Sequence, residues 1–239
     1  MASTSRSPSP RRFKTVIVEG NIASGKTEFL QFFQKYPNAQ IFAEPIEKWR
    51  RACGFNLLDL MYSDPSRWSL TFQTYVQLTM LEAHNRSDGI KPGETKVMER
   101  SIYSAKYCFV ENLYRSKLMR EEEYFVLTEW FKWIVKHAYC HADLIVYLKT
   151  EPETVHDRLV KRSRPEERSV PLDYLKALHT LHEDWLIHEK FPLPAPVKVI
   201  DANADLSCMR SIYEEAVKEI VFSNDVEAVM NGHLFSQRQ

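Results

Sequence analysis

Short apolar runs alternate along the chain with longer segments in which apolar residues recur every three or four positions. Several of the short runs are apolar throughout, as expected for strands that are buried on both faces of a sheet. Strands that alternate with helices are typical of a parallel sheet flanked by helices. The pattern therefore predicts an α/β fold with five strands, which lie at 14–19, 40–43, 96–99, 143–148 and 197–201.

The segments between these runs have helical spacing. Asp64 followed by Pro65 is the expected start of a long helix, with an N-cap and a proline in the first turn. Helices are predicted over 25–36, 65–85, 101–115 and 121–140, and three more begin near Glu151, Pro171 and Asp205. Because no linker divides the chain, we expect one domain over 14–222, a disordered tail over 1–13 and a flexible tail over 223–239.

Composition excludes several classes of protein. The 239 residues are 44% hydrophobic, which is typical of a folded domain, and no apolar run approaches the ~20 residues of a membrane span. Basic and acidic residues number 32 each, which argues against nucleic acid or a membrane surface as the main partner.

Four cysteines without a CxxC pair are typical of reduced, mostly buried thiols in an intracellular protein. The Ser/Pro/Arg-rich start of the chain lacks the apolar stretch of a secretory signal. It leaves a disordered tail, an organelle-targeting segment and a nuclear segment open, so the cytoplasm, nucleus and mitochondrion are not separated.

The segment GNIASGKT, which follows the first apolar run, has the spacing of a Walker A loop. A strand, a glycine-rich turn and a helix together direct several backbone N–H groups at one point, which favours an anion. Lys26 could then reach the β- and γ-phosphates, and the Thr27 hydroxyl could bind Mg²⁺. The predicted triphosphate site consists of Gly20, Asn21, Ile22, Ala23, Ser24, Gly25, Lys26 and Thr27.

Charged residues follow the second and third predicted strands, where a parallel sheet places its ligands. Glu44 could accept the proton of a hydroxyl nucleophile during phosphoryl transfer, although a solvated loop acid is an equal alternative. Glu99 could hold Mg²⁺, and Arg100 could pair with the base or with phosphate oxygens. The alternative for these two residues is a structural ion pair.

Two further segments carry candidate ligands. The arginine segment, residues 158–168, holds five cations that could close over a triphosphate or could merely form a solvated face. Gln73 interrupts an apolar stripe in the helix predicted over 65–85. Its amide suits the edge of a pyrimidine between aromatic rings, whereas the stripe alone is usually a core face.

The chain lacks the NKxD guanine-binding motif of GTPases and the Ser-Gly-Gly signature of transporter ATPases, so the motifs favour a small-molecule kinase. In their order they resemble the deoxyribonucleoside kinase family, most of all its insect multisubstrate and mitochondrial thymidine kinase branches. The resemblance runs from about residue 15 to 201 through GNIASGKT, EPIEKW, LLDLMY, FQTYVQLTMLEAH, MERSIYSAKYCFVEN, ADLIVYLKT, RLVKRSRPEERSVPL and LHEDWLIH.

This resemblance implies a P-loop kinase fold, a homodimer formed through a helix pair, and ATP with Mg²⁺ as cofactors for phosphorylation of a deoxynucleoside. It implies that Glu44 is the base, with Arg100 beside it and Lys26 on the phosphates, and that Thr27 and Glu99 serve the metal. The implied lid residues are Arg158, Arg162 and Arg164. The implied deoxynucleoside ligands are Trp49, Met61, Tyr62, Phe72, Gln73, Val76, Met80, Arg100, Ala105, Phe109 and Glu167.

Two positions imply a subtype. Deoxycytidine and deoxyguanosine kinases carry an acid where Ala105 stands and an arginine where Met80 stands, so this pocket resembles the pyrimidine-preferring or multisubstrate type. Ala23 replaces a glycine found in some members. Two other functions remain open from the sequence, a nucleoside monophosphate kinase and a non-catalytic nucleotide-sensing module.

Overall fold

In a computed structural model that describes residues 13–162, 164–167, 170–223 and 229, five parallel strands form one sheet in the order β2-β3-β1-β4-β5. This arrangement confirms the predicted α/β fold. The strands are β1 (Lys14–Glu19), β2 (Ala39–Phe42), β3 (Thr95–Glu99), β4 (Leu144–Lys149) and β5 (Val197–Asp201). Each lies within about two residues of its predicted position.

Helices cover both faces of the sheet. The α-helices are α1 (Lys26–Gln31), α2 (Ile46–Arg50), α3 (Leu57–Ser63), α4 (Pro65–Asn85), α5 (Ile102–Ser104), α6 (Glu111–Arg115), α7 (Glu121–His137), α8 (Pro152–Arg162), α9 (Leu172–Leu186) and α10 (Leu206–Phe222). Two 3₁₀ turns lie at Phe32–Lys35 and Pro165–Glu167, and a π-helical segment, Ala105–Val110, joins α5 to α6.

Successive side chains of the buried strands pack into two separate hydrophobic cores, one on each face of the sheet. On β1, Ile17 packs into the core that includes α4, α7 and α9, whereas Val16 and Val18 pack into the core under α1 and α10. All three side chains are fully buried, as expected for the central strand of a parallel sheet. The two cores hold the sheet rigidly, so the loops at its carboxyl edge have a fixed base.

The structure departs from the sequence-based expectations in local details. Helices α2 and α3 were not predicted because both are short, although Asn56 caps α3 by accepting a hydrogen bond from the Asp59 N–H at 3.0 Å. The helix predicted over 101–115 contains the π-helical segment. The expectation of mostly buried thiols is wrong for Cys53 and Cys208, which are exposed.

Two expectations concern parts of the chain that the structure does not describe. The predicted tails over 1–13 and 223–239 lie outside the described residues, apart from Phe13, Ser223 and Val229. Within the described ranges, the longest apolar helices fall short of what is needed to cross a membrane.

Candidate active site

The carboxyl ends of the three strands β1, β2 and β3 bring charged residues to one edge of the sheet. The parallel register places Val18 beside Glu99, so Glu19 at the end of β1 adjoins the turn that follows β3. Glu44 follows β2 by two residues. Of these residues, Glu44 and Glu99 line a cavity that is partly open to solvent, together with Arg100.

Two glycines give the loop after β1 its shape. Gly20 has φ 148°, and a Cβ there would lie 2.6 Å from Ser24 Oγ and 2.8 Å from the carbonyl oxygen of Leu148. Gly25 has φ 93° and caps α1 without a side-chain hydrogen bond. Ala23 adopts the left-handed region at φ 59°, which explains why glycine suits that position.

Lys26 folds back over this loop. Its Nζ donates hydrogen bonds to the carbonyl oxygens of Gly20 at 3.2 Å and Asn21 at 2.7 Å. Asn21 in turn donates to the carbonyl of Leu175 on α9 at 2.9 Å, which ties the loop to the opposite wall. Burial, together with the positive charge of Arg100, lowers the pKa of Lys26 to about 7.

Thr27 and Glu99 meet at the inner end of the loop. The Thr27 hydroxyl donates a hydrogen bond of 2.9 Å to Glu99 Oε1. A hydroxyl and a single carboxylate fit Mg²⁺, which binds few protein oxygens and keeps positions for water and phosphate. Among the described residues, no group of three or more His, Cys, Asp and Glu side chains could hold a metal by itself.

Glu44 and Arg100 form a buried ion pair. Arg100 Nε lies 3.0 Å from Glu44 Oε1, and the two side chains are only 6% and 14% exposed. Burial raises the pKa of Glu44, and the Arg100 guanidinium opposes that rise. Arg100 has φ 63°, an unfavourable conformation for a residue with a Cβ, and its guanidinium lies 4.7 Å above the Phe109 ring.

A second buried carboxylate, which the sequence did not single out, supports this pair. Glu19 Oε1 accepts a 2.6 Å hydrogen bond from the Ser101 hydroxyl, which itself caps α5 by accepting from the N–H groups of Tyr103 and Ser104. Glu19 is fully buried, and burial raises its pKa to about 7. Its position as the residue before the glycine loop was the signal that could have identified it.

The outer part of the cavity is apolar. Trp49 stands edge-on to Phe72 with ring centroids 5.6 Å apart, and its indole N–H donates to the Thr79 hydroxyl at 2.9 Å. Gln73 is buried on the same wall, and the structure describes no hydrogen-bond partner for its Oε1. The remaining predicted deoxynucleoside ligands also line the cavity, and these are Met61, Tyr62, Val76, Met80, Ala105, Phe109 and Glu167.

The predicted lid residues differ in their placement. Arg162 and Arg164 line the same cavity and both pair with Glu167, the second at 3.4 Å. Arg158 instead lines an adjoining cavity and donates hydrogen bonds to the carbonyls of Asn203 and Ala204 at 3.2 and 2.7 Å. The structure therefore brings the residues predicted for the base, the metal and the deoxynucleoside into one cavity and leaves Arg158 beside it.

Comparison with known proteins agrees with this geometry. The family model described as deoxynucleoside kinase matches residues 16–224. The chain is 53% identical to human mitochondrial thymidine kinase 2 over 204 residues, which are 84% of this chain and 76% of that protein. It is 34% identical to human deoxycytidine kinase, with 92% and 95% covered, and 32% identical to deoxycytidine kinase 1 of Xenopus laevis, with 87% and 89% covered.

These matches favour a deoxynucleoside kinase over the two alternatives that the sequence left open, a nucleoside monophosphate kinase and a non-catalytic nucleotide sensor. The chain belongs to the deoxynucleoside kinase family, whose members phosphorylate deoxynucleosides.

Proposed function

We propose that residues 14–222 form a catalytic domain that transfers the γ-phosphoryl group of ATP to the 5′-hydroxyl of a deoxynucleoside. The observation that carries this proposal is the position of the Glu44–Arg100 pair, which lines the same cavity as the Walker A loop and the apolar pocket. A hydroxyl held against Glu44 would face a phosphate held by Lys26. This arrangement is what in-line phosphoryl transfer requires.

Glu44 acts as the general base. Its carboxylate accepts the proton of the 5′-hydroxyl as the new O–P bond forms, and Arg100 favours its ionised form and orients it. The transition state of phosphoryl transfer is loose, so the base needs correct placement more than high basicity. The unfavourable φ of Arg100 supports this role, because backbone strain of this kind persists where the surrounding structure enforces it.

Thr27 and Glu99 would hold Mg²⁺. When bound, the ion neutralises charge on the β- and γ-phosphate oxygens. Lys26 reaches the same oxygens by exchanging the carbonyls of its own loop for phosphate. Arg162 and Arg164 come from the other side of the cavity, and Arg158 would bind the part of ATP that lies in the adjoining cavity.

The apolar pocket selects the acceptor. The Gln73 amide pairs with the edge of the base, whose faces lie between Phe72, Trp49 and Phe109, while Tyr62 and Glu167 bind the sugar 3′-hydroxyl. Met80 and Ala105 carry no charge near the base, which supports a pyrimidine-preferring or multisubstrate enzyme. The unpartnered Oε1 of Gln73 supports the same assignment, because a buried amide oxygen needs a donor.

We also propose a homodimer that forms through α4 and α7. Val126, Trp130 and Trp133 recur at helical spacing on α7 and are each about half exposed, and Leu78 is exposed on the neighbouring α4. An apolar patch of this size on a surface helix is costly in water and is typical of an interface. The two helices pack against each other within the chain, so a partner would complete a helical bundle.

Replacement of Glu44 by Gln should lower kcat by about 100-fold or more, because an amide cannot accept the 5′-hydroxyl proton. Deoxynucleoside binding, measured by calorimetry, should survive. Asp59→Asn, an exposed carboxylate on α3, is the matched control and should keep normal turnover. Near-normal turnover of Glu44→Gln would remove Glu44 from the base role.

Replacement of Gln73 by Leu should weaken deoxynucleoside binding by about 1–3 kcal/mol, because the base edge loses its hydrogen-bond partner. Gln77→Leu is the matched control, since Gln77 lies one turn further along α4 and bonds to the Leu127 carbonyl at 3.3 Å, away from the cavity. Equal dissociation constants for both variants would place the base elsewhere. A panel of the four deoxynucleosides with ATP would rank the acceptors.

Replacement of Trp130 and Trp133 by Glu should produce a monomer in sedimentation equilibrium, because charges on the exposed face of α7 oppose its burial in an interface. Val160→Glu is the control, since Val160 is similarly exposed on α8. A dimer that persists in the double variant, or a wild-type chain that is monomeric at micromolar concentration, would contradict this interface.

The raised pKa of Glu19 predicts a pH-dependent stability. The folded state binds the proton more tightly than the unfolded state, so this contribution is complete below pH 4.5 and is lost as the pH rises through about 7. Glu19→Gln keeps an acceptor for Ser101 and removes the effect. Its free energy of unfolding, relative to wild type, should rise by up to about 3 kcal/mol between pH 5 and 8.

Urea unfolding at four pH values would measure this difference. Glu215→Gln, an exposed carboxylate on α10, is the control and should follow wild type at every pH. A pH-independent difference between Glu19→Gln and wild type would show that Glu19 is already ionised when buried.

A further inference from the structure

The short turn between α8 and α9 is attached to α2 by an ion pair outside the cavity. Arg50 Nε donates a 2.5 Å hydrogen bond to Glu166 Oε1, and Arg50 Nη2 lies against the same oxygen. Glu166 is a buried carboxylate, whereas Arg50 is about one quarter exposed. Burial tends to raise the pKa of Glu166, but the hydrogen bonds from its backbone and from Arg50 hold the pKa below its usual range.

Arg50 is itself fixed on α2. Its Nη1 donates a 2.8 Å hydrogen bond to Glu47, one turn earlier in the same helix. The preceding residue is Trp49, a wall of the apolar pocket, and α2 begins two residues after Glu44. The guanidinium therefore joins the element that carries the pocket wall to the turn that carries Glu167.

Glu166 and Glu167 point in different directions from one 3₁₀ turn. While Glu166 contacts α2, Glu167 lines the cavity, where Arg162 and Arg164 bind it from within the same segment. The turn is further closed by the Glu167 N–H, which donates to the Arg164 carbonyl at 3.1 Å. These other bonds are local to residues 162–167. The turn also packs against α3, and the Arg50–Glu166 ion pair joins it to α2.

We propose that Arg50 is a positioning residue for substrate selection. It holds Glu167 at the position in the cavity from which the carboxylate can bind the sugar 3′-hydroxyl. This inference rests on the role proposed above for Glu167. The Arg50–Glu166 pair lies outside the cavity, but it also restrains Glu167, because neighbouring residues of a 3₁₀ turn move together. Its geometry is suited to the task, since Nε and Nη2 of the guanidinium both contact Glu166 Oε1 while Glu47 holds Nη1.

The chemistry of the sugar site makes the role measurable. A site built to hydrogen-bond a hydroxyl discriminates strongly against the analogue that lacks it. Loss of the Arg50 contact displaces Glu167 and weakens that hydrogen bond, whereas contacts to the base and to the 5′-hydroxyl remain. The variant should therefore lose activity on a deoxynucleoside and keep most of its activity on the 3′-deoxy analogue.

The experiment compares kcat/KM for thymidine and for 3′-deoxythymidine with ATP. The ratio of interest is kcat/KM for thymidine divided by kcat/KM for 3′-deoxythymidine. We expect Arg50→Met to lower this ratio by at least 10-fold, mainly by raising the KM for thymidine. Arg50→Lys, which restores the charge without the fork of donors, should recover part of the ratio. Arg51→Met is the matched control, because Arg51 is the neighbouring, largely exposed arginine whose nearest carboxylate is Glu47 at 3.7 Å.

Glu167→Gln tests the proposed role of Glu167 separately from the inference about Arg50. If that variant keeps the wild-type ratio, the proposed role of Glu167 is wrong and the inference fails with it. If Glu167→Gln lowers the ratio but Arg50→Met does not, only the inference about Arg50 is overturned. An equal loss of kcat/KM on both substrates in Arg50→Met would likewise overturn it, because a purely structural defect does not distinguish them.

Thermal unfolding of each variant shows whether the chain still folds. Should Arg50→Met fail to fold, Glu166→Gln provides the second measurement, since it removes the charge of the pair and keeps its size and an acceptor oxygen. That variant should lower the ratio in the same direction by a smaller factor. An unchanged ratio in Glu166→Gln would overturn the proposal.

Discussion

The buried pair of Glu44 and Arg100 is the interaction on which the rest of the site depends. A carboxylate removed from water needs a compensating charge, and a guanidinium that lies over Phe109 and beside Glu44 supplies it. Arg100 reaches that place only because its backbone adopts φ 63° directly after β3, where its N–H bonds to the Val18 carbonyl at 3.0 Å. The sheet therefore fixes the ion pair through the backbone.

The turn that follows β3 also fixes the start of helix α5. Ser101 donates to Glu19 and accepts the first N–H groups of α5, so the end of β1 and the start of α5 share one hydroxyl. The helix then passes into the π-helical segment that carries Ala105 and Phe109 into the pocket. Such segments are frequent at functional sites because the extra residue redirects side chains. The glycine loop and the apolar pocket are therefore both attached to the carboxyl edge of the sheet.

Helix α4 divides its surface between three tasks. Gln73, Val76 and Met80 face the cavity, Gln77 contacts α7, and Leu78 faces solvent. Since the proposed dimer would cover the outer side of α4 and α7, it would also stiffen the wall that holds Gln73. Substrate selection and assembly would then both depend on α4, through different side chains of that helix.

Sequence patterns predicted the sheet and the long helices because these elements have long, regular apolar spacing. They also indicated the loop and Glu44, Glu99 and Arg100, since the carboxyl ends of parallel strands face the ligand crevice, although a solvated loop acid and a structural ion pair stayed open for these charges. Glu19 was missed because a carboxylate inside an apolar run looks like a strand end, and only tertiary contact with Ser101 reveals its burial. The Arg50–Glu166 contact was equally invisible, because 116 residues separate the partners.

The cations of the site already donate hydrogen bonds to acceptors within the protein. This limits the net free energy that each of them contributes to triphosphate binding. Lys26 bonds to carbonyls of its own loop, while Arg162 and Arg164 bond to Glu167. A triphosphate therefore replaces existing hydrogen bonds, so each exchange contributes only a modest net free energy. In the proposed mechanism, release from the arginines would free Glu167 to accept the sugar hydroxyl. The proposed roles of the two arginines and of Glu167 would in this way be coupled, because the exchange of arginine partners frees the carboxylate that meets the sugar.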